Sequence, residues 1–246
     1  MTEYTVQING IKVSARYSER AVHEIFVPLL EKLTAMQRAA GRRILVMLAA
    51  PPGAGKSTLV SFLEKLSRER PGLCPVQAVG MDGFHRRQSW LLSHTVRRDG
   101  ETIPMARIKG APETFDLDAL QSALSRVAAG EDFPWPAYDR TLHDPVEGAL
   151  RVTGEIALVE GNYLLLDEPG WRELRAYADY TLFIAADPQR LRGRLTARHL
   201  SVGKAPETAA AIVDSDMANA RRCLERSAPA DLTLRLMDDD TFTVEG

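Results

Sequence analysis

The chain has 246 residues, 45% hydrophobic and 26% charged, and its 31 basic and 33 acidic residues leave a formal charge of −2. That balance suits a soluble globular protein and excludes a general electrostatic attraction to nucleic acid or acidic membranes. Two distant cysteines, Cys74 and Cys223, exclude a disulfide framework, and no apolar run approaches the roughly 20 residues of a membrane span. With no secretory leader visible, the expectation is a cytoplasmic protein.

Residues 4–15 alternate apolar and polar around Asn9-Gly10, a pair suited to a two-residue turn with positive φ, and so predict an N-terminal hairpin. Ser18 is a helix cap, and Ala21, Ile25, Leu29, Leu33 and Met36 place one apolar face on a helix reaching about Ala40, with Gly41 as its stop. The pattern then changes. Residues 43–50 (RILVMLAA) form an unbroken apolar run, as expected of a parallel strand buried on both faces. A glycine-rich turn follows, then a helix over about 56–69 and a strand over 76–81.

The segment from about His85 to Pro112 is polar and weakly periodic, which suits an insertion or substrate flap. Asp116 caps a helix over 117–129, and strands are predicted at 155–160 and 180–185. Asp187-Pro188 opens another helix, a further one runs over about 206–226, and a strand at 232–236 precedes an acidic tail at Asp238–Asp240. Strands alternating with helices predict an α/β fold in three layers around a parallel core sheet. We expect one domain over 1–246: a hairpin–helix extension at 1–42, a core at 43–236 and a tail at 237–246.

Chemistry concentrates after the first core strand. Residues 50–57 (APPGAGKS) match the Walker A phosphate loop except that Ala50 replaces the first glycine, and they have the required strand before and helix after. Gly53, Ala54 and Gly55 turn backbone N–H groups toward phosphate oxygens, Lys56 reaches the outer phosphates, Ser57 is a Mg²⁺ ligand, and Thr58 is a further phosphate donor. Glu160 ends a neighbouring strand, where its carboxylate either supports Mg²⁺ or is a solvated strand end. Asp82 ends the strand after the loop; it is placed to accept the proton of an acceptor hydroxyl, or else only caps the next turn of chain.

These segments resemble the P-loop kinase group of uridine kinase, phosphoribulokinase and type I pantothenate kinase. Met81-Asp82-Gly83-Phe84-His85 is similar to that group's D-[SG]-F-[YH] motif, and residues 109–116 (KGAPETFD) to its [KR]-G-x-P-[ED]-[ST]-[YF]-D segment. Residues 136–143 (PAYDRTLH) are similar to the P-x-Y-D-x-x-x-H segment of uridine kinases, and Glu160-Gly161 to the group's E-G pair. The wording is most like a branch labelled nucleoside-kinase-like or fructose-transport-kinase-like.

The resemblance implies ATP and Mg²⁺, Asp82 as catalytic base, and His85, Lys109, Tyr138 and His143 around the acceptor. It also implies a lid arginine among Arg190, Arg194 and Arg198, with Arg194 preferred; the other reading of this face is a solvated basic stripe. Uridine kinases commonly carry Ser-Phe-Tyr where this chain has Gly-Phe-His, and this tilts the expected acceptor from nucleosides toward a sugar, with a pantothenate-like hydroxy acid also open. The expected partner is a small molecule, with neither nucleic acid nor membrane, and the N-terminal extension is a candidate homodimer contact. The rival function is a regulatory or assembly ATPase working through a protein partner; no Asn-Lys-x-Asp segment marks a guanine switch.

Overall fold

Two strands open the chain as an antiparallel hairpin, β1 (Thr2–Ile8) and β2 (Ile11–Tyr17), pairing Thr2 with Tyr17 and Ile8 with Ile11. The computed structural model describes residues 1–8, 11–98 and 100–245, with backbone alone at residue 11, so the expected Asn9-Gly10 turn lies outside the described residues. Ser18 then caps a helix by accepting the Ala21 N–H. The helix runs as α1 (Glu19–Ala21), a π-helical stretch (Val22–Phe26) and α2 (Val27–Ala40), and ends at Gly41 with φ 61°. The sequence pattern does not foretell the π stretch. Pro28 supplies its cause: it has no N–H for the Glu24 carbonyl, and its ring needs the wider turn.

The core strands and helices come next: β3 (Ile44–Ala49), α3 (Lys56–Glu69), β4 (Val76–Gly80), α4 (Gln88–Ser93), the hairpin β5 (Thr95–Arg98) and β6 (Glu101–Pro104), and α5 (Leu117–Ala128). A second hairpin, β7 (Phe133–Asp139) and β8 (Asp144–Val152), precedes β9 (Ile156–Gly161) and β10 (Tyr180–Ala186). The chain closes with α6 (Pro188–Ser201), α7 (Pro206–Arg226), β11 (Leu232–Leu236) and β12 (Phe242–Val244). The central sheet has the order β12–β11–β10–β3–β9–β4, parallel throughout except that β12 runs antiparallel to β11.

β3 is buried along its whole length, and its alternation divides two cores. Ile44, Val46 and Leu48 pack with Leu30, Leu33, Leu59 and Phe62 on one face, while Leu45, Met47 and Ala49 pack with Leu120, Leu124 and Trp135 on the other. The three-layer α/β architecture is thus the one expected. Two details differ. The flap region holds α4 and the β5–β6 hairpin, because Thr95–Arg98 and Glu101–Pro104 satisfy each other's backbone groups. The residues read as an acidic tail turn back at Asp238–Asp240, and β12 joins the sheet because buried Phe242 inserts beside Tyr17 and Phe26. No helix among the described residues is long and apolar enough to cross a membrane.

Candidate active site

The phosphate loop leaves buried β3 and enters α3 through two left-handed glycines, Gly53 at φ 84° and Gly55 at φ 86°. A side chain at either is strained by the left-handed backbone, and the space is tight: a Cβ on Gly53 would lie 3.0 Å from Leu195 Cγ, and one on Gly55 3.1 Å from Arg194 Nη2. Gly55 occupies the N-cap of α3 and offers no side-chain cap. The first N–H groups of the helix therefore lack a local partner of the usual kind, an arrangement suited to an anion. Lys56, Ser57 and buried Thr58 form that first turn.

Ser57 Oγ donates to Glu160 Oε1 at 2.7 Å. Glu160 is buried near the end of β9, in register with Gly80 of β4, so Asp82 projects from the adjacent strand end two residues on. Ser57, Glu160, Asp82 and Tyr138 all line one cavity of about 190 Å³. Burial pushes the Asp82 carboxyl up, but His85, Lys56, Arg140 and Arg198 together pull it below its ordinary value. At Glu160 burial prevails and raises the carboxyl, with the Asp82 charge adding to the rise and Lys56 and the Ser57 hydrogen bond offsetting part of it. The two carboxyls are thus shifted in opposite senses, Asp82 down and Glu160 up. Among the described residues no cluster of three His, Cys, Asp or Glu is placed to hold a metal. The hard oxygen donors Ser57 and Glu160 beside a phosphate loop nevertheless fit Mg²⁺, which draws its remaining ligands from phosphates and water.

His85 lies over Phe115, ring centroids 3.9 Å apart, and 5.1 Å from the Tyr138 ring. Its Nδ1–H donates to the Asp82 carbonyl oxygen at 2.8 Å, which leaves Nε2 as an acceptor on the neutral ring. Burial outweighs the Asp82 carboxylate and lowers the His85 pKa, while His85, Lys56, Arg140 and Arg198 act in the other sense on Asp82 and lower its carboxyl. Lys109 is committed elsewhere: Nζ donates to Gln88 Oε1 at 2.8 Å and to the His143 carbonyl at 2.7 Å, and it sits 5.4 Å from the Tyr138 ring centroid. His143 is exposed, in left-handed backbone at φ 54°. Of the four residues expected around the acceptor, the fold gathers His85 and Tyr138 beside Asp82. Lys109 serves as a brace for the β7–β8 turn, and His143 meets it through its carbonyl oxygen.

No protein-family model matches the chain. "Uncharacterized protein YggC" of Escherichia coli (strain K12) is 41% identical over 237 residues, 96% of either chain. "Putative uridine kinase C227.14" of Schizosaccharomyces pombe (strain 972 / ATCC 24843) is 34% identical over 166 residues, covering 66% of this chain and 68% of that one. A crystal structure of a "putative fructose transport system kinase" from Silicibacter sp. TM1040 superposes with a TM-score of 0.70 at 33% identity, covering 82% of this chain and 98% of that one. The chain belongs to the uridine kinase-like family of P-loop kinases.

For this member of the P-loop kinases, three features of the site escape sequence reasoning. Arg140 comes after Tyr138 and Asp139 at the end of β7, where Asp139 Oδ1 accepts the Thr141 and Leu142 N–H groups at 2.7 and 3.0 Å and shapes the turn. Among the described residues Arg140 has neither an ion pair nor a hydrogen bond, yet its charge acts on Asp82, Glu160 and His85. Asp139, its neighbour, is spent on the turn.

Arg222 of α7 donates to Glu113 of the 109–116 segment at 2.9 Å and also clamps Glu168. The basic face of α6 is divided in use. Arg194 Nε donates to the Gly53 carbonyl at 2.7 Å and its guanidinium pairs with Asp240, whereas Arg198 pairs with Asp216 at 3.2 Å. Only the position of Arg194, at mid-helix, hints at this in the sequence.

Proposed function

We propose that this chain is an ATP- and Mg²⁺-dependent kinase that moves the γ-phosphoryl group to a hydroxyl of a small metabolite. The observation that carries the reading is the single cavity shared by Ser57, Glu160, Asp82 and Tyr138, which sets a candidate base beside the phosphate loop. We read 43–236 as the kinase core, with the N-terminal hairpin and helix as an extension of it.

In this reading the loop amides of Gly53–Thr58 and Lys56 bind the phosphates. Ser57 and Glu160 hold Mg²⁺, which when bound supplies positive charge to the β- and γ-phosphate oxygens. The acceptor hydroxyl stands between His85, Tyr138 and Asp82. Its oxygen forms the new bond to γ-phosphorus as the bond from that phosphorus to the bridging oxygen of ADP breaks, and its proton passes to the Asp82 carboxylate. Arg140, whose charge acts on Asp82 and Glu160, stabilises the negative charge on the moving group, while Arg194 braces the loop through the Gly53 carbonyl.

A sugar-like acceptor is favoured slightly. Gly83 and His85 replace the Ser and Tyr of uridine kinase wording, and the Silicibacter neighbour is described as a fructose transport system kinase.

The test is ADP release with Mg²⁺-ATP over sugars, nucleosides, pantothenate and glycerate, in the wild type and in Asp82→Asn. Acceptor-dependent release that falls on the order of 100-fold or more in the variant, with ATP binding retained, is the expected result. Release that ignores every acceptor and is unchanged in Asp82→Asn would move the protein to the regulatory ATPases.

A further inference from the structure

Two side-chain amides stand unpaired where the end of β9, the 109–116 segment and α7 meet. Asn219 of α7 is 6% exposed and makes no hydrogen bond among the described residues. Asn162, two residues beyond Glu160, has its Oδ1 buried with no partner. A buried polar group without a partner destabilises the fold that holds it, so two of them at one junction call for a reason.

The junction borders the site of Asp82. β9 and β4 run in register as far as Glu160 and Gly80, and a Cβ at Gly161 would lie 2.4 Å from Met81 Sδ, so Asn162 leaves the sheet beside Asp82. Cys223 Sγ donates to the Asn162 carbonyl at 3.0 Å, and Asn219 lies one helical turn before Cys223 on the same face of α7. On its other side, a Cβ at Gly110 would lie 3.6 Å from Asn219 Nδ2, and the preceding residue, Lys109, meets the Tyr138 ring. Asn219 thus stands between the strand end that carries Glu160 and the loop that reaches Tyr138.

The charged groups around the two amides satisfy one another. Asp216, one turn earlier on α7, takes Arg198 at 3.2 Å and His199 at 2.9 Å. Arg222, one turn later, takes Glu113 at 2.9 Å and Glu168 at 2.5 Å. What is left uncommitted is the hydrogen-bonding capacity of two neutral amides. An Asn amide offers N–H donors beside a carbonyl acceptor, a set that matches two neighbouring hydroxyls, one accepting and one donating. A carboxylate only accepts, and would leave the amide oxygens unpaired.

We infer that Asn219, with Asn162 beside it, determines acceptor specificity by binding a pair of neighbouring hydroxyls other than the one that is phosphorylated, as found in a sugar or in the ribose of a nucleoside. The inference rests on the kinase reading and narrows its acceptor to a polyhydroxy compound. The last torsion of an Asn side chain is broad, so the Asn162 amide can turn its oxygen to the ligand.

The variants are Asn219→Leu, similar in shape without the polar atoms, and, separately, Asn219→Ala and Asn162→Ala. The probes are D-fructose, D-ribose, uridine and pantothenate, each with Mg²⁺-ATP in the ADP-release assay. Wild type should use a sugar or uridine in preference to pantothenate, and which of those it uses identifies the source of the hydroxyl pair. Each variant should raise KM for that acceptor about tenfold or more, with KM for ATP held within about twofold. Melting without ligand supplies a readout that a merely structural Asn219 would not give. Asn219→Leu removes an unpaired buried polar group, so its Tm should rise by about 2–4 °C. An unchanged acceptor KM in Asn219→Ala, a preference for pantothenate in the wild type, or a lower Tm in Asn219→Leu overturns the inference and leaves the kinase reading standing. ADP release that none of the probes raises overturns the kinase reading, and the inference with it.

Discussion

Replacing Gly83 by alanine adds one carbon where the fold leaves no room for it. A Cβ at that position would lie 2.1 Å from the Pro136 carbonyl oxygen, 2.4 Å from its carbonyl carbon and 2.9 Å from the Ala137 nitrogen. All three atoms are backbone of β7, so no rotamer change relieves the overlap. Restoring ordinary contact at 3.5–4.0 Å requires β7 to retreat by roughly 1 Å or more. That retreat is opposed by Trp135, fully buried and donating Nε1–H to the Gly80 carbonyl at 2.8 Å. Overpacking of this kind costs about 3 kcal/mol, the upper end of the usual range, because backbone must move. The same shift carries Tyr138 and Arg140 away from Asp82, and a misplacement near 1 Å costs on the order of 100-fold in rate.

Urea denaturation would give the stability loss, and acceptor kinetics the loss in kcat/KM, with ATP affinity the less affected because the atoms displaced are those of β7. Gly193→Ala in α6 is the control: its Cβ would meet nothing within 4 Å, so stability should hold or rise by about 1 kcal/mol. Wild-type stability together with wild-type kcat/KM in Gly83→Ala would refute this reasoning. Gly83→Ser, which restores uridine kinase wording, should fail in the same way.

Glu160→Gln should raise the Mg²⁺ concentration for half-maximal activity by on the order of 10–100-fold; an unchanged Mg²⁺ titration would remove Glu160 from the metal. Arg222→Leu frees Glu113 and Glu168 from a shared guanidinium and should cost about 2 kcal/mol at pH 7 by chemical denaturation. Burial raises the Glu113 carboxyl, but Arg222 and Arg98 hold it below 4.5; hydrogen bonding to Arg222 and Arg226 lowers Glu168 despite burial. Folded values below unfolded ones mean that this stabilisation is present above pH 4.5 and is lost as pH falls through the folded values. The gap between wild type and Arg222→Leu should therefore close in acid; a gap that persists there would show that packing, not charge, is what the variant lost.

Much of the active site is legible from residue order. The loop Gly53–Thr58, the unbroken apolar run of β3 and the caps at Asp116 and Asp187 each rest on chemistry within a few residues, and α3, α7 and β11 keep the bounds their periodicity predicts. Glu160 and Asp82 are foreseeable because Glu160 stands near the end of apolar β9 and Asp82 follows β4 by two residues, in a 3-10 turn. The β7–β8 hairpin is less so. Pro134 and Pro136 argue against a strand, and they are tolerated because, among the described residues, β7 pairs with β8 alone.

Residue order alone is therefore enough for the phosphate loop, the alternating α/β order and the acids at the strand ends, since each is set by local periodicity or by glycine, proline and capping chemistry. It took the packed chain to establish that Asp139 is spent on a turn while Arg140 faces the charges of the site, that Arg194 joins Gly53 to Asp240, and that Thr5, Gly55 and Phe242 line one cavity. Apart from the Asp139 turn, which is local, those relations join residues from remote segments of the chain. They depend on which faces of those segments pack together, and a spacing of two, three or four residues carries no record of that.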